Sequence, residues 1–427
     1  MNILIFFKNT SLFRIGIIVF TLGSSLLLMG DLSALIQQYY RGKRSIEVTV
    51  FVHGSVYTVL SMLDAKRVLN DALQENSPYV NLVKSVRKNP LIWQDQIMVA
   101  EGLHPFDQVY IDQFFARTLI PDDRPKAAYQ FIPVYDKLFQ AHNAHVERKY
   151  YLFGHLGLLS QRYRRNAADE LYHALCDELA KLQKKYWQVR VTLIAHSHGG
   201  NIVLNLADVH EQCKRSLAID NVVMFGTPIQ PETVMHAYHP IFKRIINCYS
   251  DGDNVQNNDR FSTKERYSYK RIFDEKATLN CPDVHENKIY DVRLLLNGNK
   301  RTIGHTHMWL MGREKKISDT FDPLPIAILT PLLLDLFDKR ELTLDADHID
   351  CNIVDTYHVL RLELAHFEKQ DVLTTSLDVH NSMVSMCNLV KENWMPIDKS
   401  RMLLFNYQTG AALWQAFQEW RHYNHTA

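Results

Sequence analysis

The strongest constraint on the fold is an alternation of two patterns. Short apolar runs, too continuous to leave a solvent face, are separated by segments with helical spacing. The runs are IEVTVFV (Ile46 to Val52), KYYLFG (Lys149 to Gly154), VRVTLIA (Val189 to Ala195), NVVMFG (Asn221 to Gly226), RIINCY (Arg244 to Tyr249) and YDVRLLL (Tyr290 to Leu296). A strand reads this way when helices cover both faces of a parallel sheet. Between the runs, Ala168, Leu171, Leu175, Leu179 and Leu182 recur at three- and four-residue steps, which puts them on one helix face. Ile202, Val203, Leu206 and Ala207 repeat the pattern after Ala195. The alternation predicts βαβ units and an α/β fold, a mostly parallel sheet flanked by helices.

The chain has 427 residues, of which 46% are hydrophobic, enough for a large core in one or two domains. Its organisation reads as three parts. Residues 1–44 are a hydrophobic anchor or signal with a basic linker, 45–337 a catalytic domain, and 338–427 a C-terminal extension with β structure. Within the second part, about 89–145 lacks a clear period and reads as an insertion after the first core strand. Trp93, Phe106, Tyr110, Phe114 and Phe115 dot that insertion with aromatic rings, which suits an acyl chain or an ordinary core. The run from Pro325 to Phe337 reads as a helix opened by its proline, and Leu413, Phe417 and Trp420 as the stripe of a closing helix.

Charge and cysteine usage narrow the function. With 48 Lys and Arg against 47 Asp and Glu, no basic excess exists to neutralise phosphates, so nucleic acid is not an expected partner. The six cysteines (Cys176, Cys213, Cys248, Cys281, Cys351 and Cys387) lie far apart, like buried free thiols rather than a disulfide or zinc framework. At the N-terminus an uncharged stretch from Ile15 to Gly30 follows Lys8 and Arg14. It lacks a small-residue cleavage pattern, so an uncleaved membrane anchor is expected, with export as the alternative.

The chemistry centres on AHSHGG, Ala195 to Gly200, where a buried strand run passes into a helical pattern. A serine on so tight a strand-to-helix turn needs small residues two before and two after it, here Ala195 and Gly199. Ser197 is therefore the candidate nucleophile. A serine hydroxyl needs a histidine to take its proton and a carboxylate to hold that histidine, in the order Ser, acid, His along such a sheet. SDGDNV (Ser250 to Val255) follows one strand run, and TIGHTHM (Thr302 to Met308) comes after another. Asp253, past the glycine turn, is preferred as the acid to Asp251, with Asp259 a third option. His305 is preferred as the base to His307. The oxyanion would be met by two backbone amides: that of His198, just after the nucleophile, and that of Ser55, after the first strand in HGS (His53 to Ser55).

FVHG, AHSHG, VVMFGTP, an Asp after the following strand and a late Gly-His together resemble the α/β-hydrolase superfamily, in its lipase-like branch. The resemblance spans roughly Ile46 to Phe337 and implies a Ser-His-Asp esterase without cofactor, acting on carboxylic esters of lipid or acyl type. His53 and Ser197 are 144 residues apart (197 − 53), longer than a bare core needs, which agrees with an insertion. Three other readings use the same residues. An acyltransferase or thioesterase would share the triad, and a silent hydrolase-fold binding module would need none of it. The His196/His198 and His305/His307 pairs have metal-ligand spacing, but the elbow already accounts for the first pair, and no metal is expected.

Overall fold

The computed structural model describes residues 44–55, 72–87, 97–115, 126–142, 146–257, 272–273, 288–298, 300–311, 318, 320–339, 348–356, 359–366 and 369–393. The apolar stretch Ile15 to Gly30, Trp93, Asp259, Cys281 and the stripe Leu413, Phe417 and Trp420 lie outside the described residues.

In chain order the elements are β1 (Ser45–Val52), α1 (Pro78–Arg87), β2 (Gly102–Phe106), α2 (Gln108–Phe115), α3 (Lys126–His142), β3 (Glu147–Gly154), α4 (Gln161–Gln183) and β4 (Gln188–His196). There follow α5 (His198–Cys213), β5 (Asn221–Phe225), β6 (Arg244–Tyr249), β7 (Lys288–Leu296), α6 (Thr330–Asp338), β8 (His348–Thr356), β9 (Val359–His366), β10 (Lys369–Thr374) and α7 (Leu377–Asn393). All ten strands form one sheet, in the order β10-β9-β8-β7-β6-β5-β4-β1-β3-β2. From β3 through β8 every pairing is parallel, whereas β2, β9 and β10 join antiparallel at the two ends. The α/β fold with a mostly parallel sheet is thus what the sequence predicts, and each predicted strand run is a strand.

The alternation of side chains along the strands divides the core into two layers. Val48, Val50, Val52, Leu193, Ala195, Val222 and Met224 face α4 and α5. Phe51, Ile194, Val223, Phe225, Ile246 and Cys248 face α3, α6 and α7. The leucine stripe of α4, Leu171, Leu175 and Leu179, is buried as its spacing requires.

The 89–145 stretch supplies β2, α2 and α3, so its lack of period does not mean a lack of structure. Residues 127–136 of α3 are all buried, and Pro133 lies inside the helix, where a proline is ordinarily read as a break. Phe106 packs edge-on to Tyr129, with centroids 4.9 Å apart, and Tyr110 to Tyr129 at 4.5 Å. Phe106 is thus core and Tyr110 packs against it, whereas the side chains of Phe114 and Phe115 lie outside the described residues. Beyond residue 338, β8 pairs in parallel with β7, and β9 and β10 continue the same sheet. The run expected as a helix from Pro325 begins as a single 3-10 turn, Ile326–Leu329, before α6.

Candidate active site

The strand order places a crevice where the chemistry is expected. After β1 the chain moves outward to β3, and after β4 it moves to the opposite side, to β5. Connections that part in this way leave a gap above the carboxyl ends of the two strands, where ligands bind in open α/β sheets. His53, Gly54 and Ser55 leave the end of β1 there, and Ser197 leaves the end of β4.

Ser197 is held with φ 51° and ψ −132°, outside the regions open to an ordinary side chain. A non-glycine residue persists in such a backbone only when its surroundings over-determine it. Here its amide donates to the Phe225 carbonyl at 2.8 Å, and its carbonyl accepts the Gly200 amide at 3.0 Å. The neighbouring glycines are required by space. A Cβ on Gly54 would stand 2.7 Å from the Ser197 Cβ, and one on Gly199 would lie 2.4 Å from the His53 carbonyl oxygen. The Ser197 residue is 4% exposed and sits at the amino end of α5, whose first residue is His198. The Ser55 hydroxyl, beside the second predicted oxyanion donor, has no hydrogen-bond partner among the described residues.

Asp253 and His305, 52 residues apart (305 − 253), meet. The His305 Nδ1–H donates to Asp253 Oδ2 at 2.7 Å, which leaves Nε2 of the neutral ring with a lone pair. Asp253 is fully buried, and its other oxygen accepts the amides of Val255 at 2.9 Å and Gln256 at 3.1 Å. Gln256 in turn donates through its side chain to the Thr227 carbonyl at 2.8 Å, tying the acid loop to the end of β5. Gly226 lies against the pair. With φ +60°, it comes so close that a Cβ would be 2.8 Å from Asp253 Oδ2 and 3.0 Å from His305 Nδ1. The Ser197 amide bonds to the residue just before this glycine, so Ser197, His305 and Asp253 gather at one strand end. No hydrogen bond joins the Ser197 hydroxyl to His305 in this arrangement; such bonds commonly close only when substrate binds.

The alternatives fall elsewhere. Asp251 is exposed and lies 3.4 Å from Arg293 Nη1. His307 accepts the Gly304 amide on Nδ1 at 2.9 Å, shaping the loop that carries His305. His196 donates from Nε2 to the His305 carbonyl at 3.2 Å, and its ring stacks on Trp309 at 5.5 Å. Burial, and after it the adjacent His305, hold the His196 imidazole well below the ordinary histidine range. His196 and His307 therefore position the His305 loop. Among the described residues, the side chains whose donor atoms could share an ion are Asp169, His173 and Cys213, on α4 and α5.

A second histidine pair went unrecognised in the sequence. The rings of His53 and His155 stack with centroids 4.0 Å apart and planes 2° from parallel. The His155 amide donates to His53 Nε2 at 3.2 Å, so the His53 hydrogen is on Nδ1 and goes to the Gly54 carbonyl at 2.6 Å. His155 accepts the Gly157 amide on Nδ1 at 3.0 Å and donates from Nε2 to the His53 carbonyl at 2.8 Å. Burial pushes His155 down to about 3 and His53 well below its usual range, so both are neutral near pH 7 with fixed tautomers. They lock the backbone from which Ser55 extends. Only the strand-end position of HLG after β3 could have signalled this.

No family model matches the chain, and no curated protein sequence matches it.

Proposed function

We propose that this chain is a serine hydrolase of the α/β-hydrolase type that cleaves carboxylic esters through an acyl-enzyme. The observation that carries the reading is the 2.7 Å Asp253–His305 bond, formed beside a serine in a strained strand-to-helix turn. Neither feature is needed to hold the sheet together, and both are what acyl transfer demands.

In this mechanism Ser197 Oγ attacks the ester carbonyl while His305 Nε2 takes its proton. Asp253 keeps the Nδ1 hydrogen and stabilises the imidazolium that forms. The amides of His198 and Ser55 receive the developing oxyanion. Collapse of the tetrahedral intermediate breaks the C–O bond, and His305 returns the proton to the departing alcohol. Water, activated by the same imidazole, then releases the acid and frees Ser197. The Ala-x-Ser-x-Gly elbow and the FVHG and VVMFGTP segments support placement in the lipase-like branch. Acyl transfer to another acceptor would use the same steps with an alcohol or thiol in place of water.

The test separates the two carboxylates. Asp253→Asn should lower kcat for an activated ester by about 10⁴-fold, because the amide favours the wrong imidazole tautomer. Asp251→Asn, altering an exposed ion pair, should leave turnover nearly unchanged. Equal losses in the two variants would reject Asp253 as the acid.

A further inference from the structure

The amino-terminal end of β4, opposite the site, carries an exposed aromatic ring. Trp187, in the turn that enters β4, is 64% exposed, and its amide donates to the Arg44 carbonyl at 3.2 Å. Lys184, Lys185 and Arg190 are exposed within three residues of it. Carboxylates at this edge offset the cations only in part. Asp220 and Asp338 are taken by Lys243 and Arg244 at 2.7 Å each, and Glu147 accepts the Tyr186 hydroxyl at 2.5 Å. Glu47, opposite Arg190 in the β1–β4 register, is buried, and burial pushes it up to about 7. An exposed indole with exposed basic residues within three positions of it in the chain matches the boundary of an anionic bilayer, where the ring sits among the headgroups and the cations meet lipid phosphate and serine. In the sequence, the uncharged stretch ending at Gly30 lies only 14 residues before Arg44 (44 − 30).

We propose that the amino-terminal edge of the sheet, centred on Trp187, docks on an anionic lipid surface. One consequence is directional. The nine residues of β4 separate Trp187 from Ser197, about 30 Å at the rise of a strand. Docked in this way, the crevice faces water and not the bilayer. If the serine hydrolase reading holds, its substrate is an acyl ester that arrives from solution, and a lipid of the supporting membrane is out of reach.

The test uses the full chain in phosphatidylcholine vesicles, with and without phosphatidylserine. The emission of Trp187 is taken as the difference between wild type and Trp187→Phe. Brominated phosphatidylcholine should quench that emission strongly when phosphatidylserine is present. The doubly reversed variant Lys184→Glu/Lys185→Glu should lose severalfold of this quenching, as should added salt. Emission that bromolipid leaves untouched, and that aqueous iodide quenches alike with and without vesicles, would overturn the docking face. So would quenching indifferent to phosphatidylserine and to the lysines. In the same vesicles a water-soluble ester should be cleaved in preference to a bilayer-resident one, and the reverse preference would overturn the orientation. Failure to cleave either would count against the hydrolase reading and leave the quenching result to decide the docking.

Discussion

Replacing His305 by alanine should lower kcat/KM for an activated ester by about 10⁴-fold or more, the size of loss seen when a member of such a unit is removed. The loss has a specific origin. Without the imidazole, Ser197 keeps its proton, and neither the strained turn nor the two amides can supply a base. Alanine also strips the buried Asp253 of one hydrogen-bond partner, at a cost to stability of about 1–3 kcal/mol. His305→Asn separates these effects, since its amide hydrogens can still reach Asp253 while no base is restored. Both variants should be equally inactive, with the asparagine form melting closer to wild type. An asparagine variant with appreciable activity would show that His305 is not the base.

The second large effect is expected at a residue that does no chemistry. Gly226→Ala forces a methyl group into the 2.8 and 3.0 Å spaces beside Asp253 Oδ2 and His305 Nδ1. Backbone rigidity at φ +60° prevents the residue from turning away, and the alanine itself pays about 1–2 kcal/mol for a left-handed conformation. The acid–base pair must then separate, and misplacement by a fraction of an ångström to one ångström costs up to about 10²-fold in rate. The expected outcome is a large fall in kcat with little change in KM, together with a lower melting temperature. Wild-type kcat in a destabilised protein would mean that the pair tolerates displacement and that its geometry is not what sets the rate.

How much of this was legible before any coordinates depended on how each residue acts. The strands at Ile46 to Val52 and Val189 to Ala195 announce themselves because both faces of each are covered over most of their length, so only Glu47, Thr49, Arg190 and Thr192 interrupt the β-branched, apolar runs. The turn at Ser197 is legible because crowding against the His53 backbone leaves room only for glycine at position 199. The choice of Asp253 over Asp251 agrees with the geometry, as the glycine between them turns the chain and sends the two carboxylates apart. α3 was harder to read because Pro133, a residue that ordinarily breaks a helix, lies inside it. β10, KQDVLT, is polar because it is an edge strand with only one neighbour in the described sheet. His155 and Gly226 were invisible because each acts through a tertiary contact, the first with a ring 102 residues away and the second with two side chains from later loops.

The account stands on Ser197 being a nucleophile, and a fluorophosphonate reports that property without knowledge of the natural substrate. Incubated with the intact full-length protein and followed by peptide mass spectrometry, it should leave one phosphonyl adduct on Ser197. Ser197→Ala should not be labelled, whereas Ser55→Ala, which keeps the backbone amide, should be. Labelling of Ser197→Ala equal to that of the wild type, or an adduct on another residue, would contradict the assignment.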